Sequence, residues 1–97
     1  MRRDQIVEYR RDLGQQLARA LQRRDGVVEV EEEVSLESLP ANVKAALHSQ
    51  AGSGKISKVE SITKEDHLVA YEAEVLTNGK RSETQVGPDG QALSHPE

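Results

Sequence analysis

The dipeptide Asn78-Gly79 stands between two stretches of alternating residues, 68–76 and 80–86, and restricts the fold more than any other feature. A two-residue type I′ turn needs positive φ at both central residues, and Asn-Gly is the natural pair that adopts it most readily. Such a turn fixes the register of the strands it joins. Val75 then lies opposite Ser82, Ala73 opposite Thr84 and Tyr71 opposite Val86. One face of the hairpin is apolar. On the other, Glu74 falls across from Glu83 and Glu72 across from Gln85. A slip of one residue would turn the apolar set into water, so the register is strongly specified. Tyr71 and Val75 are expected in the core.

The neighbouring segments extend the hairpin into a meander. Residues 56–63 read as a strand, Lys64-Glu65-Asp66 as a turn, Gly87-Pro88-Asp89-Gly90 as a second tight turn, and residues 91–94 as a last short strand. Upstream, Leu39, Val43, Ala46 and Leu47 share one helical stripe, with Pro40 suited to the first helical position and Gly52-Ser53-Gly54 ending the run. Val28, Val30, Val34 and Leu36 alternate with Glu29, Glu31 and Glu33, which predicts a strand over 27–36; Glu32 on the apolar parity hints at an edge or a bulge.

The first 24 residues carry seven Arg and three acids, against a net charge of −4 for the whole chain. Within them Ile6, Tyr9, Leu13, Leu17, Ala20 and Leu21 recur every three or four residues, which predicts an amphipathic helix over 4–24. Asp4 would cap it, with Arg23 and Arg24 at its C-terminal end and Gly26 beyond. The fold class expected is α+β, one domain over 1–97, with two helices on one face of a four- or five-stranded antiparallel sheet.

Composition narrows function by exclusion. Of 97 residues 35% are hydrophobic, and the only aromatics are Tyr9 and Tyr71, so the core is aliphatic and the stacking platforms for single-stranded nucleic acid are missing. A chain without Cys has no thiol chemistry, no disulfides and no Cys-type zinc site. No apolar run approaches the roughly 18 to 20 residues that cross a membrane, and the Arg-rich start lacks the apolar centre of a signal peptide. The reading is of a soluble chain.

Residues 39–93 resemble the PepSY-like family of small, mostly exported bacterial domains. The resemblance is carried by Leu39-Pro40 with Val43 and Leu47, by Ile56 with Val59, by Tyr71-Glu72-Ala73-Glu74-Val75, by Asn78-Gly79, and by Val86-Gly87-Pro88-Asp89-Gly90-Gln91-Ala92-Leu93. The family's closing turn has Asp where Gly87 stands and Lys where Gln91 stands. Residues 1–35 lie outside the match. The resemblance implies a helical layer on one antiparallel sheet, similar to half of a β-lactamase-inhibitor fold, and a role in binding or restraining proteins such as peptidases. It implies no catalytic residue, and it implies a periplasmic or secreted setting; the chain itself, lacking a signal peptide, leaves a cytoplasmic one open.

Other motifs carry less. Gly52-Ser53-Gly54-Lys55 looks like part of a phosphate-binding loop, but Ser49 stands where the first Gly belongs and Ile56 where Ser or Thr belongs, and a helix precedes it; a helix-ending loop is the simpler reading. His48, His67 and His95 show no metal-ligand spacing. No Ser-His-acid arrangement appears in recognisable context, so no catalytic residue, cofactor or metal is assigned.

The remaining candidate is the carboxylate face of the hairpin. Glu72, Glu74 and Glu83 would form a docking face for a basic protein partner or a divalent cation, or else a solvated face whose repulsion is relieved by Lys80, Arg81 and salt. The function expected is a non-enzymatic protein-binding or inhibitory module acting on an envelope or secreted protein, with no nucleic acid and no membrane span. One alternative is a self-associating structural domain, a homodimer through the first helix; a weaker one is an anion-binding adaptor using its Arg-rich face.

Overall fold

The computed structural model describes the backbone of residues 5–11, 16–23 and 26–97, and side chains from Glu29 onward. Six strands follow one another: β1 (Gln5–Arg11), β2 (Gln16–Arg23), β3 (Gly26–Val34), β4 (Lys55–Lys64), β5 (His67–Thr77) and β6 (Lys80–Val86). Each pairs antiparallel with its neighbour in sequence, giving the sheet order β1-β2-β3-β4-β5-β6. One helix, α1 (Ala41–Ala51), fills the connection from β3 to β4 after a short 3-10 turn at Leu36–Ser38. The class is α+β with an antiparallel sheet. Backbone pairing gives six strands rather than four or five, and the four with described side chains, β3 to β6, include all those that α1 packs on.

The helix begins one position later than the sequence suggests. Pro40 has φ −56 and ψ 148, so it is the residue before the first helical turn, and its carbonyl accepts from Lys44 N–H at 3.0 Å. At the other end Gly52, at φ +60, donates its N–H to the His48 carbonyl at 3.2 Å. Positive φ there ends the helix at no steric cost to a residue without Cβ. Val43 and Leu47, four apart and both fully buried, press onto Val59, Ala73, Val75 and Val86, with Leu39 closing the cluster. Tyr71 packs against this core but is only half-buried. α1 lies chiefly over β6, with lesser contact to β4 and β5.

The β5–β6 hairpin has the register that the dipeptide implies. Val75 pairs with Ser82, Ala73 with Thr84 and Tyr71 with Val86, and the turn closes on Thr77 and Lys80. Asn78 has φ 53 and Gly79 φ 80, the positive pair of a type I′ turn. The β4–β5 turn is also of two residues, Glu65 and Asp66, since Lys64 belongs to β4 and pairs with His67. Register shifts in β4 leave Ser57 unpaired and set Val69 opposite the Ile62/Thr63 step.

The strand expected over 91–94 is reduced to one bridge, Val86 to Ala92. The chain leaves β6 through a turn in which Gly90 N–H donates to the Gly87 carbonyl at 2.9 Å and Gly87 N–H to the Gln91 carbonyl at 2.8 Å. That turn is held to the start of α1: Asn42 Nδ2 donates to the Asp89 carbonyl at 2.5 Å. Gly90 lies so close that a Cβ there would stand 2.6 Å from the Asn42 carbonyl oxygen. Tied to the helix at residue 89 and followed by Pro96, which has no N–H to give, the segment has little chance to extend a ladder along β6.

Among the described residues the helix expected over 4–24 is not found, and they form one α-helix rather than two. Residues 5–11 and 16–23 pair with each other as β1 and β2, and β2 pairs with β3. A 3.6-residue period in a short segment is weak when an open strand edge lies beside it, because an unpaired row of N–H and C=O groups offers the backbone a ladder. The register sets Arg19 opposite Glu8 on one side and Glu31 on the other. Asp4, Asp12, Leu13 and Arg24 lie outside the described residues, as do the side chains of the apolar stripe. With β2 on its flank, β3 is an interior strand by pairing, and the irregularity hinted at by Glu32 falls instead opposite the Leu21/Gln22 step. The dimer and the anion-binding adaptor both rest on that helix, which the described backbone of residues 5–11 and 16–23 does not form.

Candidate functional site

α1 covers one face of the sheet. Alternation along each strand sends the intervening residues to the other face, and register aligns them in rows. One row runs Glu33, Glu60, Glu72, Gln85 across β3 to β6; the next runs Lys58, Glu74, Glu83 across β4 to β6. A third sets Glu31 beside Ile62 and Ala70. Ile62 is 1% exposed and Ala70 fully buried, although neither belongs to the cluster beneath α1. The face therefore combines a small buried aliphatic patch with a band of carboxylates.

Several cations and donors temper that band. Arg81 Nε lies 3.4 Å from Glu74 Oε2, so one of the two expected cations does bear on it, and Lys58 Nζ lies 3.8 Å from Glu60 Oε2. Ser57, freed from the ladder by the β4 irregularity, donates its hydroxyl to Glu74 Oε1 at 2.8 Å. Gln85 Nε2 donates to Glu72 Oε1 at 3.4 Å. The C-terminal segment returns over the same face, with Glu97 N–H donating to Gln85 Oε1 at 2.6 Å and Glu97 paired with Lys64 at 3.5 Å. Between that segment and β6 opens a cleft of about 310 Å³ lined by Glu72, Glu83, Thr84, Gln85, Leu93 and Pro96.

Glu72 is the carboxyl most affected. Burial pushes its pKa above the ordinary glutamate range, and the charge of Glu83 adds to the rise; the Gln85 hydrogen bond opposes it, and Glu31 and Glu60 contribute further repulsion. The sheet thus holds like charges in register at an electrostatic cost. Chemically the face can accept cationic groups and hydrogen-bond donors.

Glu72, Glu74 and Glu83 come together as the hairpin register requires. Glu33 and Glu60, which continue the band onto β3 and β4, are additions from the structure. The parity of Glu33 is visible in sequence, but its alignment with Glu60 is not, because α1 separates their strands and no turn residue sets that register.

The other motifs fall to structural roles. Gly52 ends α1 and Lys55 opens β4, while a Cβ on Gly54 would run into Thr77 Oγ1 and Val75 Cγ1. Among the described residues no group of three or more His, Cys, Asp or Glu is placed to hold a metal ion, and no helix is long and apolar enough to cross a membrane. No protein-family model, curated protein or solved structure matches the chain.

Proposed function

We propose that the chain is a non-enzymatic protein-binding or inhibitory module of PepSY-like type, acting on an envelope or secreted protein, with the sheet face opposite α1 as its docking surface. The observation that carries this reading is the set of direct cross-strand carboxylate pairs, Glu60 with Glu72 and Glu74 with Glu83, on the face the helix does not use. Like charges directly opposed on a sheet cost from a few tenths up to about 1 kcal/mol, and a basic partner would relieve that repulsion. The buried Ile62 and Ala70 beside them supply a rigid backing. The reading assigns no reaction to this face.

The test is a comparative capture. The chain and a Glu72→Gln/Glu74→Gln/Glu83→Gln variant are immobilised side by side, exposed to bacterial envelope extract at low and raised salt, and the retained proteins are identified by mass spectrometry. A basic protein retained by the first, lost by the second and released by salt is expected. Identical sets on both would remove the acidic face from the function.

A further inference from the structure

We infer that Asn78 is an intrinsic modification site, at which the hairpin tip converts its own asparagine to aspartate and isoaspartate. The chain has two asparagines, and the structure treats them oppositely. Asn42 sits in the first turn of α1 with both ends of its amide engaged: Nδ2 donates to the Asp89 carbonyl, and Oδ1 accepts from Val43 N–H at 3.1 Å. The residue after it is β-branched and fully buried. Asn78 is exposed at the end of a two-residue turn, and the residue after it is a glycine around which an added Cβ would meet nothing within 4 Å.

The chemistry needs only water. The Gly79 backbone nitrogen, after giving its proton to hydroxide or water, attacks Cγ of Asn78. An N–Cγ bond forms, the Cγ–Nδ2 bond breaks, and the side-chain nitrogen leaves as ammonia with a proton from solvent. Water then opens the cyclic imide at either carbonyl. Opening at Cγ gives aspartate at position 78; opening at the backbone carbonyl gives isoaspartate, with the chain running through the former side chain. The attacking nitrogen must be both free and unshielded. The ladder closes on Thr77 and Lys80 and leaves Gly79 N–H outside it. The comparable Asp89-Gly90 step is blocked, because Gly90 N–H is committed to the Gly87 carbonyl at 2.9 Å.

The intact turn restrains the reaction without abolishing it. The Thr77–Lys80 closure limits rotation of the backbone between Asn78 and Gly79, so attack proceeds from transient opening of the tip, where Lys80 and Arg81 are exposed. The two products differ in effect. Aspartate keeps the turn, since Asp-Gly also suits type I′. Isoaspartate inserts a methylene into the main chain, which a two-residue turn cannot absorb. The Thr77–Lys80 closure is then lost, and with it the alignment that sets Glu74 against Glu83.

The test incubates the full chain, folded and separately in urea, at neutral and mildly alkaline pH, with peptide mapping by mass spectrometry and enzymatic methyl-labelling of isoaspartate. Position 78 should exchange amide for carboxyl in the folded chain, faster at the higher pH, with isoaspartate in excess, while Asn42 retains its amide. Asn78→Gly, which keeps a type I′ turn, should show no isoaspartate in that peptide. Retention of the Asn78 amide in the folded chain over a period that converts it in urea overturns the proposal, as does equal conversion of Asn42 and Asn78.

Discussion

Replacing Glu72 by Gln isolates the electrostatic cost of the carboxylate band, because the side chain keeps its size and its hydrogen bond to Gln85 can be kept in kind. Above its raised pKa, Glu72 is an anion with Glu60 directly across from it, Glu83 on the diagonal and Glu31 nearby. Burial is the largest contributor to the rise, so removing the charge also removes a desolvation penalty. Relief of like-charge opposition on a sheet is worth from a few tenths to about 1 kcal/mol. With a urea m-value of about 1–3 kcal/mol/M for a chain of this size, the variant's midpoint should rise by a few tenths of a molar at neutral pH. The sign with pH follows from linkage. A carboxyl whose folded pKa lies above its unfolded value binds its proton more tightly in the folded state. The stability it contributes is therefore present below the unfolded value and lost as pH rises through the folded one. The gap between variant and wild type should close as pH falls towards about 4, where the unfolded glutamate titrates. Raised salt should narrow it at neutral pH. A midpoint that is unchanged or lower at pH 7, or a gain that persists below pH 4, would refute this account of the face.

Other substitutions probe the scaffold that carries it. Leu47→Ala empties a fully buried position between α1 and the sheet and should cost about 2–5 kcal/mol, read as a lower urea midpoint with unchanged slope. Gly79→Val forces a β-branched residue to φ 80 and should cost on the order of 1–3 kcal/mol, with loss of the cross-strand nuclear Overhauser contacts between Thr77 and Lys80.

What could be read from sequence was whatever a local signal fixed. Asn78-Gly79 set a register that holds pair by pair, and with it the meeting of Glu74 and Glu83, because a two-residue turn leaves no freedom in which residues face each other. Val43 and Leu47 revealed the buried stripe of α1 in the same way, with Leu39 just ahead of the helix closing the cluster. The signals that failed were those decided by a distant neighbour. Residues 4–24 have a helical period and good caps, yet their backbone answers to the open edge of β3, whose demand for partners is invisible in the segment itself. The row from Glu33 to Glu60 depends on how β4 returns after α1, and the loss of a strand over 91–94 depends on Asn42, distant in sequence, holding Asp89. Tyr71, the sole aromatic among residues 25–97, is half-buried against the edge of the aliphatic cluster.

The strand order has a kinetic meaning. Since every strand lies beside its neighbour in sequence, the sheet can grow by closing one hairpin after another, and the β4–β5 and β5–β6 connections each close over two residues. Short loops of that kind cost little entropy to close, and contacts of low sequence separation speed folding. The helix is the exception. α1 leaves the chain before β4 but rests mainly on β6, the last strand, so its docking waits for the whole run from residue 55 to residue 86 to be in position. A nascent sheet therefore presents Val59, Ala73, Val75 and Val86 uncovered until that late step. In this topology the interval before docking is when the chain is most exposed to association with another copy of itself.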